Sequence, residues 1–318
     1  MGRLEIVRSF FLALGSTIFL FLCGVYVPLG GILLLPLISQ PVLAFGLKYG
    51  KGKGTGLLLL AAALLLFFGA PELAMGYSLF AAMIALLFIS FGRRWPIEWV
   101  VAGAAAAMLV VSFLVLWALF GSPSYLWEGI RAALRENLEI WLRVYDKIGI
   151  SEEGIDLLRQ RAPQIVELVL KILPALVYSA FSALILVNLL LLCRRFPERR
   201  SLFISSGDLR EWRSPEPLIW CFLLSGFLIF LPGAETVVAT VSLNIFLIIA
   251  VFYFFQGLAI IAYYFHHKNV PYFLRSMAYV VIVFEQFVTL FVVGLGLFDL
   301  WGDFRRLKKK DLNPSQVS

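Results

Sequence analysis

The sequence predicts an all-α polytopic membrane helix bundle with eight or nine spans. Three observations carry that prediction. Of the 318 residues, 61% are hydrophobic and only 15% are charged, against roughly 45–50% and 25% in a soluble domain. Mean hydropathy is +0.91, more apolar surface than a water-soluble particle of this size can bury. Stretches of close to twenty apolar residues, the length that crosses a hydrocarbon core of about 30 Å, recur along the whole chain.

The apolar segments fall at 9–28, 30–47, 55–70, 73–92, 99–120, 172–193, 217–234, 236–265 and 276–298. The first follows Arg3 and Arg8 and resembles a signal peptide in outline. No small-residue cleavage site follows it, so it reads as an uncleaved span. The second contains Pro36 and Pro41, which distort a helix. A membrane helix tolerates them where neighbours re-satisfy the backbone. The last is interrupted by one charge, Glu285.

Lysine and arginine set the orientation. With the N-terminus cytoplasmic, the inside segments through the sixth span hold Arg3 and Arg8; Lys48, Lys51 and Lys53; Arg93 and Arg94; and Arg194, Arg195, Arg199, Arg200, Arg210 and Arg213. The short outside turns hold none. The net charge of +7 then reflects topology, not a nucleic-acid surface. Nine crossings would put the C-terminus outside, yet FRRLKKK at 304–310 favours the inside. One late segment is therefore expected to be re-entrant or interfacial.

The stretch GKGKGTG, Gly50–Gly56, raises the question of a phosphate loop. Walker A needs Gly-Lys followed by Ser or Thr. Here glycine follows each lysine, and G-x-G-x-x-G fails as well. The stretch reads as a cytoplasmic turn whose glycines permit tight reversal.

Residues 121–171 differ from the rest: seven basic and eight acidic residues lie between spans five and six. Leu126, Ile130, Leu134, Leu138 and Trp141 recur at three or four residues, the spacing of an amphipathic helix. Gly149 and Gly154 flank a turn, and a second short helix is expected to end at Pro163. The segment predicts an extracytoplasmic helical hairpin, either a connector on the membrane surface or a lid over a cavity. Its length favours a role.

Few residues suggest chemistry. Cys23, Cys193 and Cys221 are far apart, and His266 and His267 are adjacent near a span end. Neither set suggests a metal site, a disulfide framework or a nucleophilic triad. No enzyme, cofactor or metal is expected. Polar groups within spans are costly and therefore informative. Glu285, with Gln286 beside it and Thr289 a turn on, could bind a proton or a cationic group if it faces the bundle, or mark a helix break or an interface where it touches water. Gln256, with Tyr253 and Tyr263 on one broad face and Gly257 admitting a neighbouring helix, could contact a ligand or join helices. Asn244 and Asn188 are single polar residues of the same kind.

Several segments together resemble the YybS-like family of bacterial membrane proteins: LPALVYSAFSALILVNLLLLCRRF (173–196), LREWRSPEPLIW (209–220), FFQGLAIIAYYF (254–265) and GLGLFDLWGDFRRL (294–307). That family is remotely similar to the S components of energy-coupling-factor vitamin transporters. The likeness implies an S-component-like arrangement for the first six spans, with both of its ends cytoplasmic. This chain adds the 121–171 insertion and the C-terminal spans. Ala13 with Thr17 is its nearest match to the Ala-x-x-x-Ala of S-component span one. Asp299 and Arg305, the charged members of the C-terminal signature, are six residues apart and need not pair within one helix. They would pin the depth of a helix end or form a docking surface.

The expected organisation is spans one to five in 1–120, the hairpin in 121–171, spans six to nine in 172–301 and a basic tail in 302–318. The expected function is transport or capture of a small solute in the bacterial cytoplasmic membrane, with Glu285, Gln256, Asn244 and Tyr263 lining the cavity. The alternative is a scaffold or regulator of an envelope process. Expected partners are lipid, a small solute and other membrane subunits, and no nucleic acid.

Overall fold

The computed structural model describes residues 3–27, 30–69, 71–93, 95–148, 152–202, 208–230 and 237–307. Arg94, Gly149 and the tail 308–318 lie outside the described residues. Among the described residues all regular structure is helical. The chain forms two compact units, Met1–Ser205 and Ser206–Ser318.

The first unit holds α1 (Arg3–Tyr26), α2 (Gly30–Ile38), α3 (Gln40–Tyr49), α4 (Lys51–Phe68), α5 (Pro71–Ser90), α6 (Ile97–Phe120), α7 (Pro123–Ile148) and α8 (Glu152–Arg195). Of these, α1, α4, α5, α6 and α8 are long and apolar enough to cross a membrane. The second expected span is broken at Ser39 into α2 and α3, beside its prolines. The break is braced from α8 by side chains. Ser39 donates to Asn188 Oδ1 at 2.5 Å, and Gln40 Nε2 donates to the same oxygen at 2.7 Å. All three side chains are buried, so Asn188 acts as interhelical glue, answering a backbone break with side-chain hydrogen bonds.

GKGKGTG is not a turn. Gly50, at φ 106°, makes the reversal, and Lys51 already begins α4. The helical glycine Gly54 serves packing: a Cβ there would lie 2.7 Å from Gly46 Cα and 2.8 Å from the Phe88 ring. Two glycines thus let α3 and α4 approach, with Phe88 of α5 against both.

One end of this unit gathers five chain segments. Lys48 pairs with Glu5 at 3.2 Å, and Tyr49 meets Ser9 at 2.9 Å. Lys51 donates to the Phe91 carbonyl and Arg199 to the Leu47 carbonyl. Gly92 N–H donates to the Leu202 carbonyl at 3.0 Å. The basic residues at this end cover carbonyls that helix termini leave without intrahelical partners.

The hairpin is built from α7 and the first half of α8. Gly121, left-handed at φ 76°, ends α6 and starts it. Leu126, Leu142, Ile155 and Val166 form its seam, and Arg131 pairs with Glu167 across it at 2.8 Å. The second arm does not end at Pro163. It continues through Pro163 and Pro174 to Arg195 as one helix, so the boundary expected at 171 is not a structural break. Trp141 lies outside the seam, 53% exposed.

The second unit holds α9 (Leu218–Ile229), α10 (Val237–His267), α11 (Tyr272–Phe284) and α12 (Gln286–Gly302). Only α10 among them meets the spanning criteria alone. The helix α9 is about 18 Å long at 1.5 Å per residue, and it packs on α10 through Phe222 stacked on Phe246, centroids 4.3 Å apart. The last expected span is two helices bent by 101° at Glu285.

Candidate functional site

The polar residues of the second unit collect in two places. The first lies where α10 and α12 cross. The crossing is close because both helices carry glycine there: a Cβ on Gly257 would overlap the Val292 carbonyl, and one on Gly296 the Tyr253 carbonyl. That contact brings Gln256 to Asp299, the last buried residue of α12. Gln256 Nε2 donates to Asp299 Oδ2 at 3.2 Å. Its Oε1 accepts from the Ser214 N–H at 3.1 Å and from the Ser214 hydroxyl.

Asp299 is also paired with Arg305, at 2.8 Å, with both side chains fully buried. Six residues would separate them on a helix, but the helix ends at Gly302. Asp303 then adopts left-handed φ 39° and Arg306 φ 54°, which folds the chain back. Asp299 Oδ1 accepts the Phe304 N–H at 3.0 Å. Arg305 donates to the Arg210 and Trp212 carbonyls at 2.6 and 3.0 Å. Arg213 pairs with Asp303. Hydrogen bonding to Asp208 raises the already high pKa of Arg210. A buried charge needs a partner and further hydrogen bonds, and this cluster supplies both. It joins the segment before α9, the middle of α10 and the end of α12.

The second place is the break at Glu285. Its backbone is extended, φ −96° and ψ 111°, and its side chain makes no cap to α12. The first turn of α12 therefore presents N–H groups without intrahelical partners. Thr289 donates its hydroxyl back to the Ile282 carbonyl across the break. Glu285 is exposed, between Phe284 and Phe287 at 80% and 84% exposure. Both ends of the α11–α12 pair lie by the last turns of α10. Val270, just before α11, donates to the Phe265 carbonyl at 3.0 Å, and the Tyr264 hydroxyl donates to the Phe304 carbonyl, beyond α12, at 2.7 Å.

The four expected site residues are thus not in one place. Gln256 is fully buried in the polar cluster. Asn244 donates to Thr240 of its own helix at 2.8 Å. Tyr263 stacks on His267, centroids 6.1 Å apart. Asn244 and Tyr263 are about 28 Å apart along α10 at 1.5 Å per residue, too far to line one small cavity. Glu285 lies at the break between α11 and α12. Sequence reading missed Ser214 altogether. It met Asp299 and Arg305 without their pairing, because that depends on the helix ending at Gly302 and on left-handed Asp303, which is not a glycine. Among the described residues no group of three or more His, Cys, Asp or Glu is placed to hold a metal ion.

Fold and polar clusters together define an all-helical, multi-pass membrane protein in a lipid environment. The chain belongs to the family described as predicted membrane protein (DUF2232), whose model matches residues 16–300. Neither a curated protein nor a solved structure matches it.

Proposed function

We propose that the chain is a small-solute transporter or substrate-binding membrane component, without catalytic activity, and that the break at Glu285 lies on the solute or ion path. The observation that carries this reading is the break itself. Irregular backbone at membrane depth is stable only inside protein or against a water-filled cavity. Discontinuous helices with an ionisable group are a recurring way to build a site for a solute or ion.

The proposed topology has eight crossings, with α2–α3 and α9 as short ones and α11–α12 re-entrant. An even count keeps both termini on one side. The anchoring of both ends of α11–α12 by the last turns of α10 supports the re-entrant turn. The basic residues at one end of the first unit support a cytoplasmic N-terminus in a bacterial inner membrane. The scaffold reading has its own support: Gln256, Asn188, Asp299 and Arg305 bond to protein, as in a bundle built to be rigid.

A thermal-stability screen of the purified protein against vitamins, nucleobases, amino acids and metal salts tests the proposal. A ligand of the native state raises the melting temperature. The expected result is a compound that does so in the wild type and not in Glu285→Gln. A hit indifferent to Glu285→Gln removes the break from the site. No hit across the panel favours the scaffold.

A further inference from the structure

The hairpin carries a cleft that the transport reading does not use. It has a volume of about 470 Å³ and lies between α7 and α8, lined by Arg135, Leu138, Glu139, Leu142, Arg143, Arg159, Ala162 and Pro163. Its walls are fixed on one side by the Arg131–Glu167 pair at 2.8 Å and beneath by buried Leu142. Three guanidinium groups face one carboxylate there, although acidic residues outnumber basic ones over the hairpin as a whole. The neighbouring arginines are partnered differently. Arg131 holds Glu167, and Arg159 reaches Asp156 at 3.3 Å in a pair 67% and 65% exposed, too solvated to hold it strongly. Arg135 and Arg143 have no ion pair among the described residues. Both stand one helical turn from Glu139, on either side of it along α7.

We propose that this cleft binds a phosphate group, through Arg135 and Arg143 from α7 and Arg159 from α8. Guanidinium forks match phosphate oxygens in pairs. A tetrahedral group offers oxygens to both helices at once, which a planar carboxylate does less well. The surplus positive charge of the lining matches a phosphate mono- or dianion. Leu138, Leu142, Ala162 and Pro163 add an apolar wall, so the ligand joins its phosphate to a short apolar or sugar-like portion. A soluble phosphate ester and a phospholipid headgroup share that chemistry. Binding at this cleft requires no transport activity and no role for Glu285.

The test is calorimetric titration of the full chain in neutral detergent, at constant ionic strength. One arm uses inorganic phosphate and the other a short-chain phosphatidylglycerol below its micelle concentration. The expected result is saturable binding of at least one probe, weakened tenfold or more in Arg135→Gln/Arg143→Gln and unchanged in Arg161→Gln, outside the cleft. Equal binding of both probes assigns a soluble phosphate compound. Preference for the lipid by tenfold or more assigns a headgroup. Absence of saturable binding for both probes, or binding indifferent to the double substitution, overturns the proposal. Unchanged thermal unfolding of the double variant separates lost binding from lost fold.

Discussion

Arg305 donates to Asp299 where both side chains are fully buried, and their pairing controls what either substitution does. Arg305→Met leaves a buried carboxylate, and Asp299→Leu leaves a buried guanidinium. Each should cost about 3–5 kcal/mol, the usual effect of stranding one buried charge. The double variant Asp299→Leu/Arg305→Met should be closer to wild type than either single one. Thermal unfolding of the four proteins in one detergent gives the comparison, and additive losses would exclude a coupled pair. Gln256→Leu strands Ser214 and one Asp299 bond, at about 1–3 kcal/mol. Sequence reading could name Gln256 because polar groups in apolar runs are rare, and Asp299 and Arg305 as the charged members of a C-terminal signature. It could not bring them together, since their contact depends on the helix crossing at Gly257 and Gly296 and on left-handed Asp303.

The helix crossing makes the prediction at the scale of elements. Gly257→Ala and Gly296→Ala each push a methyl into a backbone carbonyl of the other helix, and overpacking of this kind costs about 1–3 kcal/mol. Gly294→Ala meets nothing within 4 Å and should leave the melting temperature unchanged or raise it. Equal losses at all three positions would mean that α10 and α12 do not pack as described. Element boundaries were legible where chemistry marks them. Pro36 and Pro41 announced the break in the second segment. Glu285 has neither proline nor glycine beside it, so only its charge within an apolar run hinted at the break that divides this segment into two helices. The hairpin's first arm was legible from its apolar spacing. Its second arm was not, because Pro163 reads as a stop while the packed helix runs through it.

At the scale of the whole molecule, the charge count and the chain path make the same demand. One end of the first unit is tied together by the basic residues Lys48, Lys51 and Arg199, and the proposed topology puts that end in the cytoplasm. Both ends of α11–α12 return to the last turns of α10. Single cysteines at Asn269 and Arg306, introduced after replacing Cys23, Cys193 and Cys221, should therefore react with an impermeant thiol reagent from one and the same side. Labelling from opposite sides would make the last segment a crossing. What composition reveals at this scale is the membrane itself. It says nothing of which polar residues meet: Asn244, Gln256 and Tyr263, which seemed to mark a cavity, are distributed over about 28 Å of α10, and Glu285 lies at the break beyond it.

The central claim is that the break at Glu285 lies at membrane depth on an aqueous path. Thiol accessibility of Glu285→Cys, in the same cysteine-free background, tests it most directly. Asn269→Cys serves as the water-exposed reference and Leu290→Cys as the apolar-face reference. The account predicts that Cys at 285 reacts with a small hydrophilic methanethiosulfonate and not with a bulky polymer-linked maleimide, as a narrow wet path requires. Two results would contradict it. Silence toward the small reagent, as at 290, would seal the break in lipid or protein. Full reactivity toward both reagents, as at 269, would place it at the membrane surface.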